Sequence, residues 1–298
     1  MQALWMILAS LFFAAMAVCV KFASEWFNSA ELVFYRGLLG MLFIWIIARQ
    51  KGIPLATPYP AMHAWRSLVG VVSLGMWFYA IAELPLATAM TLNYMSSVWI
   101  AAFLVGGALL AWNPRKDTAP KSQGPLVITV LAGFAGVVMM LQPTVAKNQL
   151  FAGLIGLLSG LTAAFAYMQV MALGKMGEPD TRTVYYFAVG SAVAGGAGML
   201  GMGVSAWNWS HALWLLPMGL LASLGQLCMT RAYSRGATLV VANLQYFGLV
   251  FGAIFSVTLF GDAIPLPGWV GMALIVGSGI AATVLRERAA PNAPAEEH

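Results

Sequence analysis

Residues 31–40 read ELVFYRGLLG, a run that sets Arg36 among leucines, a valine, two aromatic residues and two glycines. A water-bathed core seldom holds a permanent positive charge without a partner. What Arg36 can do therefore depends on the solvent around its helix, and composition identifies that solvent. The chain has 298 residues, 61% hydrophobic and 8% charged, with a mean hydropathy of +0.82. Soluble domains carry roughly a quarter charged residues, so this chain cannot cover a water-facing surface, and its excess apolar residues need lipid.

Apolar runs of about 20 residues, enough to cross a bilayer, recur near 3–23, 31–48, 66–84, 86–111, 125–142, 150–174, 183–204, 212–233, 237–260 and 267–285. The breaks carry turn residues, as in KGIPLATPYP, WNPRKDTAPKSQGP, KMGEPDTR and GDAIPLPG. Pro85, in ELPLA, must end one helix or kink it. The expected fold is an all-α integral membrane protein of ten transmembrane helices. The segment at 286–298, RERAAPNAPAEEH, is polar and rich in proline and alanine, and reads as a disordered cytoplasmic tail. The first run lacks a basic leader and exceeds a signal-peptide apolar core in length, so it reads as a retained span.

Lysine and arginine set the orientation. With the N-terminus in the cytoplasm, the inward ends and loops hold Arg49, Lys51, Arg66, Arg115, Lys116, Lys121, Lys175, Arg182, Arg231, Arg235, Arg286 and Arg288, and the outward side holds Lys21, Arg36 and Lys147. This places both termini in the cytoplasm and the protein, as a multi-pass chain, in the inner (plasma) membrane. The formal charge of +5 is no nucleic-acid signature, because the basic residues punctuate apolar runs instead of lining one face. Cys19 and Cys228 lie in apolar runs of opposite halves and read as small buried hydrophobes.

The two halves also match one another. An offset of 152 pairs Tyr94 with Tyr246, Ala80 with Ala232, Leu92 with Leu244, Ala101 with Ala253, Phe103 with Phe255 and Val105 with Val257. Five helices per half is odd, so the second half must be inverted. Inverted repeats are a transporter architecture, with the substrate site near the midplane. The units expected are 3–142 and 150–285.

FYRGLLG, YAIAELPLATAMTLNYMSSVWIAAF and RAYSRGATLVVANLQYFGLVFGAIFSVTLFGD resemble the paired EamA modules of the drug/metabolite transporter superfamily. The resemblance runs from about residue 3 to residue 285. It implies ten transmembrane helices, a central cavity lined mainly by the first four helices of each repeat, and alternating access. The second half keeps the family's Gly-acid pair as Gly261–Asp262, whereas the first half has AWNPRK there and lacks the acid.

A transport site needs polar groups facing a cavity, since lipid would leave them unsatisfied. Helical spacing aligns Ser10, Ala14, Ala17 and Lys21 in the first span, and Ser159, Thr162, Ala166 and Gln169 in the sixth. It likewise aligns Ser223, Gln226, Thr230 and Tyr233 in the eighth. Asn243 and Tyr246 in the ninth correspond to Thr91 and Tyr94 in the fourth. Tyr79, Tyr94, Tyr167 and Tyr246 could stack on a planar substrate. The cavity candidates are thus Arg36, Tyr79, Thr91, Tyr94, Tyr167, Gln169, Gln226, Thr230, Asn243 and Tyr246. Helix packing uses the same residue types, so both readings stand at this stage.

Arg36 has two readings as well. It either snorkels outward or pairs with Glu25 or Glu31, or it faces the cavity and attracts a carboxylate or phosphate. Lys21, at similar depth, could share either role. No carboxylate falls mid-span, and Glu83 and Asp262 lie near outward helix ends. The expected function is a secondary transporter of a small organic metabolite, with a membrane channel or a non-transporting scaffold as the alternative. His63, His211 and His298 all lie outside the spans, with no nucleophile–base spacing, so an enzyme is not expected. The expected partners are a small-molecule substrate and the bilayer, with no nucleic acid, cofactor or metal.

Overall fold

A computed structural model describes residues 2–100, 102–103, 128–129, 131–132, 135–136, 139, 149–235, 241 and 244–289. Among these the chain is helical, without a strand. Helices α1 (Gln2–Ala23), α2 (Ser29–Gln50), α3 (Pro60–Glu83) and α4 (Leu86–Tyr94) form the first part, and α5 (Leu150–Lys175), α6 (Asp180–Met202), α7 (Leu215–Arg235), α8 (Phe247–Phe260) and α9 (Leu266–Ala289) the second. A helical turn, Trp209–Ala212, leads into α7. Among the described residues six helices are long and apolar enough to span a membrane, and large side chains such as Leu200, Trp209 and Leu213 project from the bundle. The chain is a multi-pass membrane protein. The span expected at 125–142 lies mostly outside the described residues, as does the second half of 86–111.

Local chemistry accounts for the helix ends. Asn28 caps α2, its side chain accepting from the Ala30 and Glu31 amides while Glu31 accepts from the Asn28 amide, a capping box. α3 begins at Pro60, six residues before the apolar run, because proline is tolerated at the first helical position. It ends at Glu83, and Pro85 forces the break before α4. Lys21 reaches across to this break, its Nζ donating to the carbonyls of Leu84 at 2.8 Å and Ala82 at 3.1 Å. A cation on orphan C-terminal carbonyls is a favourable cap, and it turns Lys21 away from any substrate role. α9 runs through Arg286 and Arg288 to Ala289.

In lipid, helices gain little by hiding apolar surface from one another, so contact rests on close van der Waals packing. The tightest crossing sets α2 against α6. A methyl on Gly37 would collide with the Ala192 and Ser191 backbone, and one on Gly195 with the Phe34 backbone, so a bare glycine on one helix meets the backbone of the other at each contact. Around this pair α1 packs on α7 and α8, α3 on α5 and α6, α2 on α7, and α4 on α5 and α8.

Polar clasps join the connections at both ends of the bundle. At one end Glu178 accepts from Thr57 Oγ1 at 2.7 Å and from Arg182 Nη1 at 3.0 Å, and bonds His63 Nε2 at 2.8 Å. Arg182 Nε donates to Pro54 O and Tyr186 OH to Leu55 O. Asp180 joins the same end to α7 through Ser234 and Arg231. At the other end Glu31 accepts from the amide and hydroxyl of Ser205, and Asn28 Nδ2 donates to Gly203 O.

Candidate functional site

Glu31 is thus occupied by its capping box and by Ser205, and Glu25 is exposed, so neither takes Arg36. That side chain turns inward instead, only 4% exposed, its guanidinium carbon 5.0 Å from the centroid of the Phe187 ring on α6. Arg66, from α3, lies over the same ring at 4.0 Å and is 3% exposed. The two guanidinium carbons are therefore no more than about 9 Å apart, the sum of those distances. Neither side chain makes an ion pair among the described residues, and Arg36 Nε, Arg66 Nε and Arg66 Nη1 are buried without a hydrogen-bond partner there.

These arginines border a central cavity of about 50 Å³, room for a few waters but not for an organic metabolite. Its walls come from α1 (Phe13, Met16), α3 (Ser73, Trp77), α5 (Tyr167), α6 (Phe187) and α7 (Gln226), with Asn93, Tyr94 and Gln245 completing it. The last three lie where helices break. α4 stops at Tyr94, a turn at Met95 follows, and helix resumes at 96–100; Gln245 and Tyr246 form a turn that precedes α8.

Broken helices expose polar groups to a cavity without exposing them to lipid. Here Asn93 Nδ2 donates to Ser159 Oγ at 3.0 Å, and Ser73 Oγ to Ser159 O at 2.8 Å. Tyr233 OH donates to Gln245 Oε1 at 2.9 Å and stacks on Tyr167. Gln226 Oε1 is buried without a donor among the described residues.

The sequence is similar to those of known transporters. The pseudopaline exporter CntI of Pseudomonas aeruginosa is 32% identical over 259 residues, 87% of each chain. The chain belongs to the EamA-like transporter family. The family's profile matches residues 1–142. An uncharacterized transporter of Helicobacter pylori is 28% identical over 92% of this chain and 91% of its own. A riboflavin transporter of Rhizobium johnstonii is 26% identical over 93% and 89%. A solved crystal structure shares the fold at a TM-score of 0.63 and 19% identity, over 96% of each chain. Family and relatives mark a membrane transporter rather than an enzyme.

Within this EamA transporter, Arg36, Tyr94, Tyr167 and Gln226 line the cavity. Tyr79 lies instead in a separate apolar cleft between α2, α3, α5 and α6, edge-on to Phe151. Thr91 is buried and donates to Ala87 O within its own helix. Thr230 and Tyr246 are buried but do not line the cavity, and Gln169 is half-buried. Asn243 lies outside the described residues. Sequence reasoning missed Arg66, Phe187, Asn93 and Gln245. One signal was available, since the 152 offset that pairs Tyr94 with Tyr246 also pairs Asn93 with Gln245.

The acid of the Gly261–Asp262 pair has a structural task. Ser256 Oγ donates to Asp262 Oδ2 at 2.5 Å and itself accepts from the Ala87 amide in the first turn of α4. The pair thereby ties the end of α8 to the start of α4.

Proposed function

We propose that this EamA transporter is a ten-helix secondary carrier that moves a small organic metabolite across the inner (plasma) membrane by alternating access. The carrying observation is the cavity itself, where buried polar groups without partners among the described residues meet beside two broken helices. The packing supports two inverted five-helix units, near 3–142 and 150–285. Exchanging α1 with α5, α2 with α6, α3 with α7 and α4 with α8 converts the main helix contacts into one another.

Ten spans are supported by one long-range bond. Gln149 Nε2 donates to Glu83 O at 3.1 Å, so the chain between them leaves and re-enters at one membrane face, as two further crossings require. The same alternation sets the start of α1 and the end of α9 on the face that carries the Glu178 clasp, and the lysine and arginine bias makes that face cytoplasmic.

The cavity is too small for a metabolite, so loading requires the helix packing to rock. Clasps at both ends and glycine crossings between them suit such rocking. Arg36, Tyr94, Tyr167 and Gln226 are the candidate side chains for contact with the substrate. Reconstitution in liposomes with labelled metabolites tests the reading: flux that saturates and is stimulated by substrate on the far side marks a carrier. Unsaturable flux would make the protein a channel, and labelling that set the two termini on opposite faces would overturn the topology.

A further inference from the structure

From the paired guanidiniums we infer that the substrate is an organic acid bearing two carboxylates, one received by Arg36 and the other by Arg66. The inference rests on the carrier reading above and specifies the chemistry of its site.

A charge inside a membrane protein is costly and is usually paired or functional. Here two like charges lie against one aromatic ring, each at least nine-tenths buried. Phe187 offers each a cation–π contact, worth about 0.5–2 kcal/mol, but a ring face accepts no N–H fork. Nε of both arginines remains without an acceptor among the described residues. The carboxylates whose side chains are described are engaged or remote: Glu31 holds Ser205, Glu178 holds His63 and Arg182, Asp180 holds Ser234, Asp262 holds Ser256, and Glu25 and Glu83 form no ion pair with either arginine. What is missing is an anion, and the cavity is where it can enter.

Its form follows from the donors. The Nε edge of a guanidinium is a planar fork that matches a carboxylate. Two such forks from opposite helices, α2 and α3, accept two acidic groups on one molecule. Asn93, Gln226 and Gln245 supply neutral donors and acceptors for the body between them. Gly70 shows that the arrangement is built. A methyl there would occupy the place of Arg66 Nη1 and press on Phe187, so the bare backbone four residues along α3 is what lets the guanidinium fold over the ring.

The test uses the full-length protein in liposomes and a uniformly labelled cell extract, divided by anion exchange into neutral or cationic, monoanionic and polyanionic fractions. The wild type should take up label from the polyanionic fraction, before and after phosphatase treatment. R36Q and R66Q should each lower that uptake at least tenfold, about the loss expected for one charge-assisted fork. Uptake confined to the other fractions, loss of the signal after phosphatase, or unchanged uptake in R36Q/R66Q would overturn the inference while leaving the carrier standing. No saturable uptake from any fraction in either direction would remove the carrier reading itself. A second measurement covers misfolding. Removing an unpaired buried charge should stabilise the empty protein, so R66Q should melt about 2 °C or more above the wild type; a lower melting point would make Arg66 a structural residue and overturn its role.

Discussion

His63 Nε2 and Glu178 Oε1 stand 2.8 Å apart although 115 positions separate them along the chain. The bond ties the first turn of α3 to the α5–α6 connection, at the end of the bundle where Thr57 and Arg182 also bind Glu178.

Glu178 should therefore make stability depend on acid. Burial raises its pKa, but hydrogen bonds from Thr57, His63 and Arg182, with the charge of Arg182, outweigh this and hold the carboxyl below its ordinary value near 4.5. A carboxylate depressed in this way stabilises the fold above the unfolded value and ceases to do so as pH falls through the folded one. Wild-type melting temperature should thus decline once pH drops below about 4.5. E178Q should be less stable by about 1.5–3 kcal/mol at neutral pH and flatter across that window, as read by thermal melts in detergent. Equal slopes for the two proteins would remove Glu178 from the clasp's energetics.

G70A should uncouple folding from transport. The added methyl displaces Arg66 from Phe187, and small misplacements of a binding group cost up to about 100-fold. Uptake should fall at least tenfold while the protein still reaches the membrane and elutes as a single species.

G195A tests the α2–α6 crossing. Its methyl meets the backbone of Phe34, which cannot rotate aside, so the loss should be about 1–3 kcal/mol or more. By contrast G201A, where a methyl meets nothing, should leave the melting temperature within about 2 °C.

K21M should leave the carbonyls of Ala82 and Leu84 uncapped and lower stability by about 1–2 kcal/mol. Substrate affinity should not change, because Lys21 faces the α3–α4 break and not the cavity. A raised apparent KM with normal stability would return Lys21 to the transport site.

Q226A should reduce transport while membrane expression stays intact, because Gln226 lines the cavity and its Oε1 has no donor among the described residues. Radiotracer uptake at matched protein levels measures it, and unchanged uptake would sink a role for this amide.

Much of the site could not be read along the chain for a reason visible in Arg66. Six residues into α3, it counts as a basic residue near a helix end, the usual mark of a membrane face. Only the fold shows that it bends back over Gly70 toward Phe187, a ring 121 positions away. Arg36 was conspicuous because its neighbours are apolar, yet of its two candidate acids Glu31 is taken by contacts to Ser205 and Asn28 that no spacing announces, and Glu25 is exposed. Asn93 and Gln245 were within reach through the repeat offset, since an internal match carries three-dimensional information in linear form.

The sequence by itself determined that the protein lives in lipid and roughly where its apolar helices run. Those properties are local: solvent transfer and helix-breaking residues depend on a residue and its near neighbours. Only the tertiary structure decided which polar side chains share the cavity and which arginines find no acid among the described residues. Charge pairing and hydrogen bonding act over a few ångströms in space, between groups the chain holds a hundred or more positions apart.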